Sequence, residues 1–271
     1  MTGSRTAAPA HQAPRSGRRA ATVRRAAGAV LVCAALAAVV TGCQVTDDTR
    51  TSERTYMVDG KVTAISAVTD GGDIDIVAAD EDGGPVRVTE HYRYADRKPK
   101  TEHHLKDGVL TLKAEDCAPV TDSCEVGYEV RVPRTLAVTL RTDGGNIQVR
   151  GTTGAVQTDT AGGNIQVRDT TGTVQADTDG GNVSVENVST KKATVRSGGG
   201  NVIVRLTDAP DLVDASTGGG NVQVSLPKGP YAVDARTEGG ESSVTVPSDA
   251  GSSHKVKVRS DGGDVIVGSA S

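Results

Sequence analysis

Apolar and polar residues alternate along this chain in short runs, and paired glycines separate the runs. In "NIQVR" at 146–150, Ile147 and Val149 fall on one side of an extended chain, Gln148 and Arg150 on the other. A turn follows at 151–154 ("GTTG"). Then Val156, Thr158 and Thr160 share one side while Gln157 and Asp159 share the other. Period-2 alternation over stretches this short, bounded by turn residues, predicts two half-buried strands per unit.

The unit recurs. Gly-Gly steps begin at Gly71, Gly144, Gly162, Gly180, Gly199, Gly219, Gly239 and Gly262, and from Gly144 the spacings are 18, 18, 19, 20, 20 and 23 residues. Repeats of that length stack as solenoids, because one unit cannot bury its apolar face alone. Aligned units give two inward columns. One is Val138, Val156, Val174, Ala193, Val213, Val233 and Val256; the other is Ile147, Ile165, Val183, Val202, Val222 and Val265. The predicted fold class is therefore all-β: a single-stranded parallel β-helix, or solenoid, of 18–20-residue coils with an irregular N-terminal cap. With strands about 4.8 Å apart, seven or eight such coils would make a rod of roughly 35 Å.

Two features of the repeat carry specific expectations. The glycines mark corners where positive φ or close backbone approach excludes a side chain. The Asn after them, at Asn146, Asn164, Asn182, Asn201 and Asn221, falls in register from coil to coil and is expected to stack as an amide ladder.

The ends of the chain read differently. Residues 1–25 hold six Arg and no acid, and 26–40 ("AAGAVLVCAALAAVV") form an apolar run that suits a secretory signal better than a membrane span. It closes on "VTGC" at 40–43, which is similar to a bacterial lipobox. That likeness implies cleavage before Cys43 and attachment of lipid to it, palmitate included, with 1–42 as the signal peptide. Arg18-Arg19 and Arg24-Arg25 leave export by either the general or the twin-arginine route open. Residues 43–55 read as lipidated Cys and flexible tether, 56–137 as first coils and cap, and 138–268 as regular Gly-Gly-Asn repeats. The last strand would end the stack at Val265 and Val267, leaving an open edge there.

Composition narrows the function. Phe and Trp are absent and Tyr occurs five times, so the core must be thin and aliphatic. Removing the six leader Arg leaves 24 basic against 34 acidic residues, a net charge of −10. That argues against nucleic acid and gives no pull toward anionic lipid, so membrane attachment rests on the lipid. Cys117 and Cys124, in "CAPVTDSC", are expected to form a loop-closing disulfide outside the cytoplasm.

Candidate chemistry is sparse. No Lys follows any glycine pair in the pattern of a phosphate loop. Acidic corners at Asp70, Asp143, Asp179, Glu238 and Asp261 invite calcium, but the row is broken by Ala and Gly and the calcium β-roll nonapeptide is absent. His91, His103 and His104 would meet at a metal if "TEHYRY" and "TEHHLK" paired as strands; the plainer reading is a polar outer face. A polymer-cleaving site would need clustered carboxylates and aromatic platforms in a groove. No cofactor, metal or catalytic residue is assigned. One outward column, Arg150, Arg168, Glu186 and Arg205, is partly basic, and its three Arg are the candidate polymer-binding residues.

Two longer stretches, "LKDGVLTLKAED" at 105–116 and "YEVRVPRTLAVTLRTDGGNIQV" at 128–149, resemble the bacterial putative-adhesin domain of the toast-rack type. The resemblance covers most of 60–268, carried by the Val132-Pro133 lead-in and the repeated unit in register. It implies a single-stranded β-helix with parallel stacked sheets, an exported or membrane-linked protein, and no catalytic residues to carry over. Some relatives accompany envelope-stress systems. This chain uses Gly-Gly-Asn more than Gly-Asp, a difference confined to the corner. The expected function is a lipid-anchored, non-catalytic binding or structural protein at the extracytoplasmic face of the membrane, with a wall polymer or a membrane protein as partner. An accessory or sensor role in envelope stress stands second, and an enzyme acting on wall polymer third.

Overall fold

The computed structural model describes residues 49–79, 84–114 and 124–270. Cys43, Cys117 and the expected leader over 1–42 lie outside the described residues. Within them all regular structure is strand. The chain opens with β1 (Arg50–Val58), then β2 (Ala64–Thr69) and β3 (Ile74–Ala78), which form a two-strand coil. β4 (Val86–Tyr94), β5 (Thr101–Lys106), β6 (Val109–Ala114) and β7 (Cys124–Val132) follow. Coils then come in turn: β8 (Ala137–Thr142) with β9 (Ile147–Arg150), β10 (Val156–Thr160) with β11 (Ile165–Arg168), and β12 (Val174–Thr178) with β13 (Val183–Val188). Next are β14 (Lys192–Ser197) with β15 (Val202–Leu206), and β16 (Leu212–Thr217) with β17 (Val222–Leu226). The chain finishes with β18 (Ala232–Thr237), β19 (Ser242–Val244), β20 (Lys255–Ser260) and β21 (Val265–Ser269).

Two sheets result. One runs β1-β4-β7-β3-β9-β11-β13-β15-β17-β21-β19 and the other β18-β20-β16-β14-β12-β10-β8-β2-β6-β5. Strands within the coils pair in parallel, with Val156 beside Val138 and Val174, and Ile165 beside Ile147 and Val183, and the register is kept except for a shift between Val185 and Val188 where β13 meets β15. Both expected columns are buried between the sheets, except that Val233 is only partly covered. The β-branched side chains fill a narrow space that rings would not fit.

The order at the C-terminal end differs from the expected one. β20 pairs with β16 on one side and β18 on the other, and β21 lies between β17 and β19. The last coil in sequence is thus inserted beneath the penultimate one, and β18–β19, not β21, form the open edge. Burial explains the exchange. Val256, Val258, Val265 and Val267 are fully buried, whereas β18 and β19 offer only Val233, Ala235 and Val244 to the interior. The more apolar coil takes the covered position, and the segment at 245–254 is long enough to let it step back. The other end shows the same inversion, with β2–β3 between β6–β7 and β8–β9.

The corner glycines are required by close approach. A Cβ on the second glycine of a pair would lie 1.8 Å from the Gly145 carbonyl oxygen at Gly163, 1.9 Å from that of Gly163 at Gly181, and 2.2 Å from that of Gly181 at Gly200. The first glycine has room: a Cβ at Gly162 meets nothing closer than 3.7 Å. A hydroxyl ladder runs beside them. Thr160 Oγ1 donates to the Gly145 carbonyl and accepts from the Gly163 amide, at 3.0 and 3.1 Å, and Thr142, Thr178, Ser197, Thr217 and Ser260 repeat the pattern.

The amide ladder forms as expected. Asn164 donates its backbone and side-chain N–H groups to Asn146 Oδ1 at 3.0 and 3.1 Å, and Asn182 and Asn201 do the same one coil further on. Carboxylates terminate it: Asn146 donates to Asp73 Oδ1, and Asp264 Oδ1 accepts from the Glu241 amide.

The N-terminal end is closed by antiparallel strands, β1 and β4 on one sheet and β5 on the other. Residues 50–55, expected to belong to a flexible tether, lie instead in β1; their polar sequence suits an edge strand whose residues are mostly exposed. Beneath the cap lies a fully buried carboxylate, Glu90. Tyr56 OH donates to its Oε1 and Thr101 Oγ1 to its Oε2, each at 3.0 Å, while Tyr92 OH makes a short bond to Oε2. Arg54 approaches to 3.9 Å. Burial, and then Glu90, push the phenols of Tyr56, Tyr92 and Tyr128 above the ordinary tyrosine range.

Candidate functional site

Outward-facing residues of the parallel strands line up about 4.8 Å apart, so one residue type recurring at one phase of the repeat becomes a stripe. On the sheet of β9, β11, β13, β15 and β17, Arg150 and Arg168 are in register, and Glu186 lies next along. Arg168 reaches Glu186 at 3.5 Å and Arg205 reaches it at 2.7 Å. The structure thus brings Arg150 and Arg168 into one column and Arg205 to it across a register shift between Val185 and Val188, but two of the three clasp a shared carboxylate. Arg150 donates to Gln148 at 3.4 Å. Its charge also opposes the burial that pushes the Asp75 carboxyl upward, a rise to which Glu129 adds. The column keeps an excess of positive charge, and Glu186 holds Arg168 and Arg205 in place.

The opposite sheet carries a feature that the sequence reading missed. Arg141, Asp159, Asp177, Arg196, Ser216 and Arg259 are in register along its outer face. With the corner row beside them they line a groove of about 500 Å³. Arg196 bridges Asp177 and Asp214, each at 3.5 Å, and Arg141 approaches Asp159 at 3.8 Å. Adjacent Asp159 and Asp177 would repel each other; an Arg on either side offsets this. The lining holds three Arg and five Asp, an excess of carboxylate that suits an amine-bearing ligand. Its signal was present in the 18-residue recurrence of Asp at 159 and 177, visible only once outward as well as inward phases are aligned.

A second concavity, of about 790 Å³, lies where the cap meets the first coils, lined by Glu53, Asp73, Asp75, Glu125 and Glu129 together with His91 and Arg93. Asp75 Oδ1 is buried there with no hydrogen-bond partner among the described residues.

The histidines do not converge. β4 and β5 belong to different sheets, so the pairing that would have joined His91 to His103 and His104 does not form. His91 contacts Glu53 at 3.1 Å, His103 stacks on Tyr56, and His104 lies 3.6 Å from Glu102. Among the described residues no group of three or more His, Cys, Asp or Glu is arranged to hold a metal, the acidic corners included. Cys124 begins β7, and its expected partner Cys117 lies outside the described residues.

Comparison with known proteins agrees with this architecture. The family profile Toastrack DUF4097 matches residues 62–269. No curated protein matches the chain. Among solved structures, a putative adhesin from Bacteroides fragilis NCTC 9343 superposes with a TM-score of 0.52 at 17% identity, covering 82% of this chain and 97% of that one. A putative adhesin from Parabacteroides merdae ATCC 43184 gives a TM-score of 0.43 at 12% identity, covering 82% and 97%.

Proposed function

The chain belongs to the toast-rack DUF4097 family, and from that premise we propose that it is an exported, lipid-anchored protein of the cell envelope with a non-catalytic binding or structural role. One observation carries the binding reading: the exposed faces of the parallel strands repeat polar and charged groups at a fixed step, which suits an extended ligand with a repeat of its own.

Lipid on Cys43 and a disulfide between Cys117 and Cys124 are part of this reading. Cys43 precedes Arg50 by seven residues, a reach of at most about 25 Å. The anchor would then hold the capped end near the membrane and leave β18–β19 at the far end. On the column of Arg150, Arg168 and Arg205 the ligand is an acidic wall polymer, bound by charge along the strand-to-strand step. The test is co-sedimentation of the full chain with purified wall polymer. Changing the three Arg together to Gln should remove binding and leave the thermal transition in place; undiminished binding would reject this surface. A second reading, an accessory or sensor domain acting through a membrane partner, is favoured by the unpaired edge at β18–β19, since free strand groups accept a partner strand.

A further inference from the structure

The two ends of the stack are finished differently. β1, β4 and β5 close one end, whereas β18 and β19 leave the other with partly exposed Val233 and Ala235 and with Val244 at 40% exposure. Natural edge strands are usually blunted by inward charges, bulges or a covering segment. Here the covering is partial. The Tyr231 amide donates to the Pro247 carbonyl and the Asp249 amide to the Tyr231 carbonyl, so residues 247–249 protect the edge as far as Tyr231 and stop.

Beyond that point the free edge has a definite polarity. The Ala232 amide donates to the His254 carbonyl and the Glu238 amide to the Ser260 carbonyl, so the even-numbered residues of β18 bond to β20. Strand alternation then turns the N–H and C=O groups of Val233, Ala235 and Thr237 outward along the sheet. Among the described residues the contact there is from Ser242 Oγ to the Ala235 carbonyl, at 3.4 Å, which leaves that oxygen a second lone pair. On the outer face between these positions stand Asp234 and Arg236, paired with each other at 2.6 Å, and Asp234 also lies 3.8 Å from Arg259 of β20.

We infer that this edge pairs with the same edge of a second copy, β18 against β18 in antiparallel fashion about a two-fold axis through Ala235. That register opposes Ala235 to Ala235 and Val233 to Thr237, and all three residues have their free backbone groups turned toward the partner. It sets Asp234 opposite Arg236 of the second copy at non-hydrogen-bonded positions, where side chains come closest. The strand is therefore self-complementary in hydrogen bonding and in charge at the same register. The same axis continues both sheets across the junction and covers Val233, Ala235 and Val244. A hetero-partner strand would need no such self-complementarity.

The experiment is sedimentation velocity on the full-length chain in mild detergent, at up to about 100 µM. Wild type is expected as a dimer. Asp234→Arg sets Arg against Arg across the axis and Arg236→Asp sets Asp against Asp, so each alone should weaken self-association about 10- to 100-fold. An equimolar mixture of the two variants restores both charge pairs and should yield a one-to-one dimer, which misfolded chains could not do. A monomeric wild type, a dimer indifferent to both exchanges, or a mixture that stays monomeric would overturn the inference.

Discussion

In the coils from β8 to β17, each step of the core is held by a copy of one arrangement: a glycine against the preceding carbonyl, a buried hydroxyl beside it, and an Asn amide on the outside. In the N-terminal cap the corresponding work falls to one cluster, Glu90 with Tyr56, Tyr92, Thr101 and Arg54, which occurs once. The coils divide their polar requirements among many small, identical contacts between neighbours. The cap concentrates its own on a single buried carboxylate whose removal orphans several donors together. A stack of the first kind lengthens by repetition, but its end cannot be closed by more of the same, because every further coil presents another edge.

The largest effect expected is in the coils. Gly163→Ala drives a Cβ into the Gly145 carbonyl and should cost about 3–5 kcal/mol in chemical unfolding of the full chain. Gly162→Ala, one residue earlier, should stay within about 0.5 kcal/mol. Equal losses at both positions would mean that the pair is conserved in the repeat for backbone freedom and not for close approach.

Next comes the cap. Glu90→Ala leaves three hydroxyl donors without their acceptor and should cost about 3 kcal/mol. Hydrogen exchange should rise in β1, β4 and β5 while β12 to β17 keep their protection. Uniform loss across the chain would erase the distinction between the two regions.

The smallest effect appears only in alkali. Tyr56, Tyr92 and Tyr128 have folded-state pKa values raised above the ordinary 10.0. The unfolded chain then ionises first, so the fold binds more protons and its stability falls as pH climbs above 10. Below pH 10 the three phenols are neutral in both states and contribute no pH dependence. Hydrogen exchange in β1 and β4 should therefore increase above pH 10 before that of the coils, and Tyr56→Phe should reduce the increase. An unchanged profile in that variant would show that the phenols do not govern the cap.

The same division explains what could be read in advance. Val156, Ile165 and their counterparts announce the core because each is restated every 18 to 20 residues, and Asn164 announces the amide ladder in the same way. Glu90 announces nothing: in "TEHYRY" it looks like any acid on a polar strand, and only the folding of β1 and β5 over it makes it buried. His91 and His103 looked close for the opposite reason, being near in sequence but placed in different sheets. The interchange of β18–β19 and β20–β21 was hidden because both coils carry the motif. Its choice depends on a difference in apolar content between "AVDART" and "KVKVRS" together with "VIV". The arginine column was legible as a row, while the sharing of Glu186 by Arg168 and Arg205 depends on side-chain reach.

The most direct test of the envelope-binding account is chemical cross-linking of the protein in intact cells, followed by recovery of the full-length chain and identification of what comes with it. The account predicts wall polymer attached to the sheet that bears Arg150, and no membrane protein in stoichiometric amount. Recovery of one stoichiometric membrane protein without polymer would contradict it and establish the accessory or sensor role in its place.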